Sequence, residues 1–130
     1  MPDNRVHQIK VDPKGTPVEM EMFIGEEQVG AFEVSLYDEN GHSLGLIMKD
    51  TNVPTNPPPF PVSSDAITLI GQHIGWNIVV APVGDRQDQQ YYTRTTFRQN
   101  GDVIPGGDVE RSGELTEEHS LFGFARFVSS

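Results

Sequence analysis

Apolar and polar residues alternate along much of the chain with the period of two that is typical of β-strands. In residues 18–24 four apolar side chains would share one face, while Glu19 and Glu21 would lie on the other. Residues 31–37 and 43–49 alternate in the same way on either side of Asn40-Gly41, a pair that favours a tight hairpin turn. No apolar stripe at helical spacing is longer than about six residues, so the pattern predicts an all-β chain.

The second half of the chain continues this pattern. Residues 66–70 and 76–81 are rich in β-branched side chains, and residues 91–99 alternate up to a second Asn-Gly pair at 100–101. Residues 121–128 carry apolar side chains at both odd and even positions. This pattern predicts either a central strand covered on both sides or an edge strand that pairs with another chain.

Two longer segments separate the predicted strands. Residues 51–65 are rich in proline, which removes ladder donors and stiffens the backbone, and they suit a crossover loop between two sheets. Residues 105–118 are predicted to form a Gly-rich, acidic loop with at most one helical turn near Leu115. We therefore expect residues 1–130 to form one antiparallel β-sandwich of about eight strands, with a jelly-roll or immunoglobulin-like Greek-key topology.

Composition limits the environment and the partners. The 130 residues include no cysteine, which excludes a disulfide framework and a thiolate zinc site. No run approaches the ~18 apolar residues of a membrane span, and no apolar segment follows Met1, so we expect no Sec-type signal; the compartment is left open. The net charge of −10 argues against nucleic-acid and membrane partners and favours solubility, cation binding or a basic protein partner.

The sequence contains no recognisable catalytic arrangement. Ser43 follows His42, but adjacent strand residues point to opposite faces and cannot pair as nucleophile and base. Glu19 and Glu21 have a spacing that a glycosidase could use, although a solvated strand face with arginine partners is the simpler interpretation. We therefore expect no enzyme activity.

Metal binding has only weak support in the sequence. The four histidines lack the short spacings that place two imidazoles on one metal ion. Acidic segments at 38–41 and 102–108 offer the oxygen donors that calcium prefers, but neither matches an EF-hand loop, and turn chemistry explains both. We expect no cofactor, with calcium as the open alternative.

The sharpest ligand-binding hypothesis concerns one face of residues 91–99 together with the polar loop before them. An aromatic ring, two guanidinium groups and neighbouring amides suit a sugar or a carboxylate-bearing ligand, and a tryptophan could add a stacking surface. The alternative is an ordinary solvent-facing strand and a core tryptophan. The candidate ligand-binding residues are Trp76, Gln89, Gln90, Tyr92, Arg94 and Arg98, with Arg86 and Gln87 in the same loop.

These features favour a non-enzymatic binding or assembly module that acts through protein–protein interaction, with self-association as one form of it. Pairing through the C-terminal strand would provide that self-association. A lectin-like, calcium-assisted carbohydrate-binding module is the first alternative. An acidic inhibitor of a basic protein, suggested only by the charge, is the second.

Overall fold

The structure is a computed structural model that describes residues 6–25, 28–53, 55–84 and 89–130. Nine strands and one short 3-10 helix, Ile67–Leu69, make up the regular structure of this part of the chain. The strands are β1 (His7–Val11), β2 (Glu19–Ile24), β3 (Val29–Tyr37), β4 (Ser43–Thr51), β5 (Phe60–Pro61), β6 (His73–Ala81), β7 (Gln90–Gln99), β8 (Asp102–Glu114) and β9 (His119–Ser129).

The strands form two sheets, which confirms the predicted all-β sandwich. The five-stranded sheet has the order β1-β9-β6-β3-β4 and the four-stranded sheet the order β5-β2-β7-β8. The expectation of purely antiparallel pairing is wrong at one position, because β1 runs parallel to β9. All other pairs are antiparallel.

Both sheets bury one face, and three aromatic rings join the two buried faces. Trp76 on β6 meets Phe97 on β7 edge to face, with 5.8 Å between ring centroids. Phe97 in turn meets Phe127 on β9 at 5.9 Å. The predicted inward side of β2 is buried as well. Because β7 belongs to one sheet and β6 and β9 to the other, these contacts fix how the sheets face each other.

Both predicted hairpins are confirmed, but the tight two-residue Asn-Gly turn expected at 40–41 is wrong, because Asn40 lacks a positive φ and the Asp38 amide donates to the His42 carbonyl across a longer turn. Residues 38–42 connect β3 to β4, and Gly41 has a φ of 85°. Asn100 and Gly101 connect β7 to β8 with φ values of 56° and 82°. Positive φ at two successive residues is what a type I′ turn requires, and it explains why this pair occupies the turn.

The proline-rich segment passes from one sheet to the other, as predicted, but the expectation that residues 51–65 contain no strand is wrong, because Phe60–Pro61 pairs with β2. It leaves β4 in the five-stranded sheet and reaches β5 in the four-stranded sheet. Phe60 within β5 is buried and stacks on Phe32 of β3, with 6.4 Å between ring centroids. Through this contact the proline-rich segment packs against the core.

Two segments differ from the predictions. In place of the strand predicted at 66–70 the chain forms the 3-10 helix Ile67–Leu69, because Asp65 Oδ1 accepts a bond from the Thr68 amide and closes a turn there. Residues 105–118 are not a loop over most of their length, since β8 continues to Glu114. A bulge opposite residues 96–98 and a φ of 77° at Gly106 absorb the Pro-Gly-Gly sequence within the strand.

The C-terminal strand is internal, which corrects the expectation that it pairs with another chain. Ala125–Ser129 of β9 pairs with β1 on one side, and the strand pairs with β6 on the other. The backbone groups of Ala125–Ser129 that edge pairing would need are therefore already used by β1. The prediction that 43–49 alternates regularly is also wrong, because two bulges in the β3–β4 pair leave Leu44 and Leu46 exposed.

Substituting Gly123→Ala tests the packing of the tryptophan. A Cβ atom at this position would overlap the indole ring of Trp76, so the two strands or the ring must move. Overpacking of this kind costs about 1–3 kcal/mol, and we expect a loss of stability at or above that range in urea unfolding. Ser120→Ala, at an exposed position of the same strand, is the control and should leave stability unchanged. An equally stable Gly123→Ala variant would contradict this packing.

Candidate functional site

The predicted ligand-binding face lies on the outer side of the four-stranded sheet. Arg94 on β7 has Phe23 of β2 on one side and Glu110 of β8 on the other. Its guanidinium carbon lies 5.9 Å from the centroid of the Phe23 ring, and Tyr92 meets the same ring edge to face at 6.0 Å. The structure therefore brings Tyr92 and Arg94 together around a third ring, that of Phe23.

The neighbouring polar groups of this face bond across the strands. Arg98 Nη2 lies 3.5 Å from Glu21 Oε1, a pair of the kind expected for the glutamates of β2. Thr96 Oγ1 donates to Asp108 Oδ1 at 2.7 Å, and this threonine is buried although it points outward. Bonds between neighbouring strands therefore use much of the polar capacity that a ligand would need.

The amide residues of the predicted site lie at the end of the sheet and have structural contacts. Gln89 Nε2 donates to the Val83 carbonyl at 3.0 Å, and its Oε1 accepts from the Val83 amide at 2.8 Å. The Gln90 carbonyl accepts from Gln28 Nε2. Gln89 and Gln90 also line a depression of about 140 Å³ with Glu114 and Thr116, apart from Arg94. Arg86 and Gln87 lie outside the described residues.

Trp76 is 5% exposed and packs inside the sandwich. Besides Phe97 it contacts the His7 ring, with 6.5 Å between centroids. A sugar cannot stack on a ring that both sheets enclose. The burial removes Trp76 from the residues that a ligand can reach, so the six predicted residues do not form one site.

A second outward surface, which was not among the predicted ligand-binding residues, covers the five-stranded sheet. We define the phenylalanine face as the outward side chains of this sheet, centred on Phe122 and Phe124 of β9. Phe122 is 64% exposed and Phe124 is 36% exposed. Leu46 on β4 is 57% exposed, and Val29 on β3 is also exposed.

The ring of Phe124 is held in a small aromatic cluster on this face. His73 of β6 stacks on Phe124 with 5.5 Å between centroids, and Tyr37 of β3 lies at 5.8 Å. The rings of Phe124 and Tyr37 lie next to Gly75, where an added Cβ would be 3.2 Å from atoms of both. The absence of a side chain at Gly75 lets the rings lie close to the sheet, so the cluster is a packed surface feature.

Beside the phenylalanines the face contains a depression of about 160 Å³ that is lined in part by Ala31, Asn77 and Val79. Asn77 Oδ1 is buried and, within the described part of the chain, has no hydrogen-bond partner. The ion pair between Lys49 Nζ and Glu33 Oε1, at 3.3 Å, forms the rim. A buried acceptor without a donor is destabilising, and its presence needs an explanation.

The two outer faces carry opposite charge. On the phenylalanine face the outward strand positions hold three basic side chains and one acidic one, namely Lys10, Lys49, Arg126 and Glu33. The outer face of the four-stranded sheet holds five acidic and two basic side chains, namely Glu19, Glu21, Asp108, Glu110, Glu114, Arg94 and Arg98. The sheet with the exposed rings is therefore the less acidic side of a strongly acidic protein.

One signal for the phenylalanine face was present in the sequence. The apolar side chains on both faces of residues 121–128 indicated either a fully covered strand or an edge strand. The structure gives a third arrangement, in which β9 is internal to its sheet while its outward rings remain exposed. Neither Leu46 nor Asn77 has a local sequence signal, since each depends on register.

Among the described residues no group of three or more histidine or acidic side chains is placed to hold a metal ion. In the same part of the chain, no helix is long and apolar enough to cross a membrane.

No family model, curated protein or solved structure shows significant similarity to this chain. The function must therefore be argued from the surfaces described above.

The carboxylate of Asp38 provides a test of the turn that leads into β4. The His42 amide donates to Asp38 and lowers its pKa; partial desolvation opposes the shift, and the Asn40 amide and the His42 ring add to it. Because the pKa is lowered on folding, this contribution to stability is present above the ordinary carboxyl pKa and is lost as pH falls through the lowered value.

We expect an NMR titration of the folded protein to place the Asp38 midpoint below that of the same residue in an unstructured peptide of residues 36–44. Equal midpoints in protein and peptide would contradict the hydrogen bonds described for this turn.

Proposed function

We propose that this chain is a non-enzymatic binding and assembly module that contacts another protein molecule through the phenylalanine face. The observation that carries the proposal is the 64% exposure of Phe122 beside Phe124 on β9, a strand that pairs with β6 over this segment. Single exposed apolar residues are ordinary, but a contiguous patch of large ones typically marks an interaction surface.

The composition of the face supports a protein partner. Phe122, Phe124 and Arg126 alternate along the outward side of β9. Aromatic residues and arginine are enriched at the centres of protein interfaces, where a few of them supply most of the binding energy. Covering the two rings would remove apolar area worth about 25 cal/mol per Å².

Asn77 adds a second argument. A strand residue with a buried, unpaired oxygen lowers stability, whereas a valine at this position would not. A partner that places an N–H or O–H group in the neighbouring depression, with a small rotation of the amide, would satisfy this oxygen. The stability that the free protein loses through the unpaired Asn77 oxygen is then regained in the bound state.

The alternatives have less support. A lectin-like site would use exposed aromatic and amide groups, but Trp76 is buried and Gln89 bonds to the backbone of Val83. An acidic inhibitor of a basic protein is consistent with the net charge of −10. That alternative does not account for the exposed phenylalanines.

Substituting Phe122→Asp tests the proposal. The change removes an exposed ring without touching the core and places a charge where a partner would bury apolar surface. We expect a purified protein that binds the wild-type chain directly to bind the Phe122→Asp variant at least ~10-fold more weakly, as for an interface hot spot. Binding can be measured by titration calorimetry.

The matched control is Ile67→Asp. The side chain of Ile67 is 62% exposed, about the same fraction as that of Phe122, but Ile67 lies in the 3-10 helix, outside the phenylalanine face. This variant should bind as the wild type does. Equal loss in both variants, or full binding by Phe122→Asp, would contradict the proposed role of the face.

A further inference from the structure

We infer that the occupant of the phenylalanine face is a second copy of this chain, which docks with the outer face of its four-stranded sheet. The inference rests on the proposed function, because it uses the same face and names the partner. Its basis is the opposite charge of the two outer faces within one molecule.

The overall charges of the two faces are complementary. Lys10, Arg126 and the rim residue Lys49 lie on the phenylalanine face and outnumber its one acid. The opposing face presents Glu19, Glu110 and other acids on the outward side of β2 and β8. Matched potentials of this kind fix the register of an interface and suppress wrong partners.

The faces also match in their apolar groups. Phe23 and Tyr92 form an edge-to-face pair on the acidic side, and Arg94 lies over the Phe23 ring. When the faces meet, these rings can cover Phe122 and Phe124 of the next molecule. The Tyr92 hydroxyl and the arginines of the same strand are donors of the kind that Asn77 Oδ1 lacks.

The area of the face is adequate for such a contact. Five strands about 4.8 Å apart and about eight residues long cover roughly 24 Å by 27 Å, or about 650 Å². A standard interface buries about 800 Å² per partner. Because the opposing four-stranded sheet has fewer strand residues, the contact is smaller than this area and falls at the low end of specific interfaces.

The two faces lie on opposite sides of the sandwich, which determines the kind of assembly. A contact between two different surfaces is heterologous, and it leaves one free face at each end of every oligomer. Copies would add along the direction perpendicular to the sheets, so the assembly has no fixed endpoint at the dimer. An isologous contact between two phenylalanine faces would instead stop at two copies.

The net charge of −10 opposes the approach of two copies at low ionic strength. At physiological salt the Debye length is ~8 Å, which screens the distant charges more than the groups in direct contact. We therefore expect self-association at physiological salt to exceed that in dilute buffer. Association between two proteins of opposite net charge instead becomes weaker as salt is added.

Complementation between two variants tests the head-to-tail arrangement. Phe122→Asp disables the phenylalanine face and leaves the acidic face intact. Glu19→Lys combined with Glu110→Lys reverses charge at two exposed positions of the acidic face and leaves the phenylalanine face intact. Sedimentation velocity at physiological salt measures the mass of each variant and of their equimolar mixture, after circular dichroism has verified that both are folded.

We expect the average mass of the wild type to rise with concentration beyond that of a dimer. Each variant alone should be monomeric, with self-association weakened at least ~10-fold. The mixture should form a one-to-one complex and nothing larger, because only one productive pair of faces remains. Ile67→Asp should behave as the wild type.

Two results would overturn the inference. Dimers of the Glu19→Lys, Glu110→Lys variant alone would show an isologous contact between phenylalanine faces, which leaves the proposed function standing. A wild type that stays monomeric at every concentration and salt would exclude a second copy as the occupant. In that case the binding comparison of Phe122→Asp with Ile67→Asp still decides the proposed function separately.

Discussion

The contact of Trp76 with Phe97 and of Phe97 with Phe127 is the interaction on which the arrangement of the two sheets depends. These rings come from β6, β7 and β9, and they form a continuous chain of aromatic contacts between the two sheets. Gly123 on β9 leaves room for the indole ring of Trp76. Because alternate residues of a strand point to opposite faces, fixing these rings inward also fixes Phe122 and Phe124 outward.

The proposed contact surface is thus a consequence of the same register that forms the core. On β9 the residues Leu121, Gly123, Ala125 and Phe127 face inward, and Phe122, Phe124 and Arg126 face outward. A shift of one residue would exchange the two sets. The small side chain at Gly75 on the neighbouring strand then lets the rings of Tyr37 and Phe124 lie against the sheet. Core packing and surface chemistry cannot be changed independently along this strand.

The sequence predicted the elements whose signal is local. Alternation located β2 and β7 and the buried side of each, and the two Asn-Gly pairs located both hairpins. The prediction was wrong where tertiary contacts decide. Pro105 and Gly106 normally interrupt a strand, yet β8 has β7 as its one neighbour in the sheet and absorbs them in a bulge. The apolar residues of β9 did not distinguish a covered face from an exposed one.

The candidate site was predictable only in part, for the same reason. The strand pattern placed Tyr92, Arg94 and Arg98 on one outward face, but the cation–π contact with Phe23 and the ion pair with Glu21 depend on the register between β2 and β7. Likewise, the opposite charge of the two outer faces emerges only when residues distant in sequence are assigned to the same sheet. Net charge alone pointed to a basic partner and concealed this asymmetry.

The most direct test of the central claim is site-specific photocrosslinking from position 122. A benzophenone amino acid placed there reacts with whatever covers the phenylalanine face, and the same group at position 67 serves as the reference. The account predicts efficient crosslinks from position 122 to another protein molecule, with the attachment sites for a second copy lying on β2, β7 or β8. Equal, background crosslinking from both positions at physiological salt would contradict the claim that this face is a contact surface.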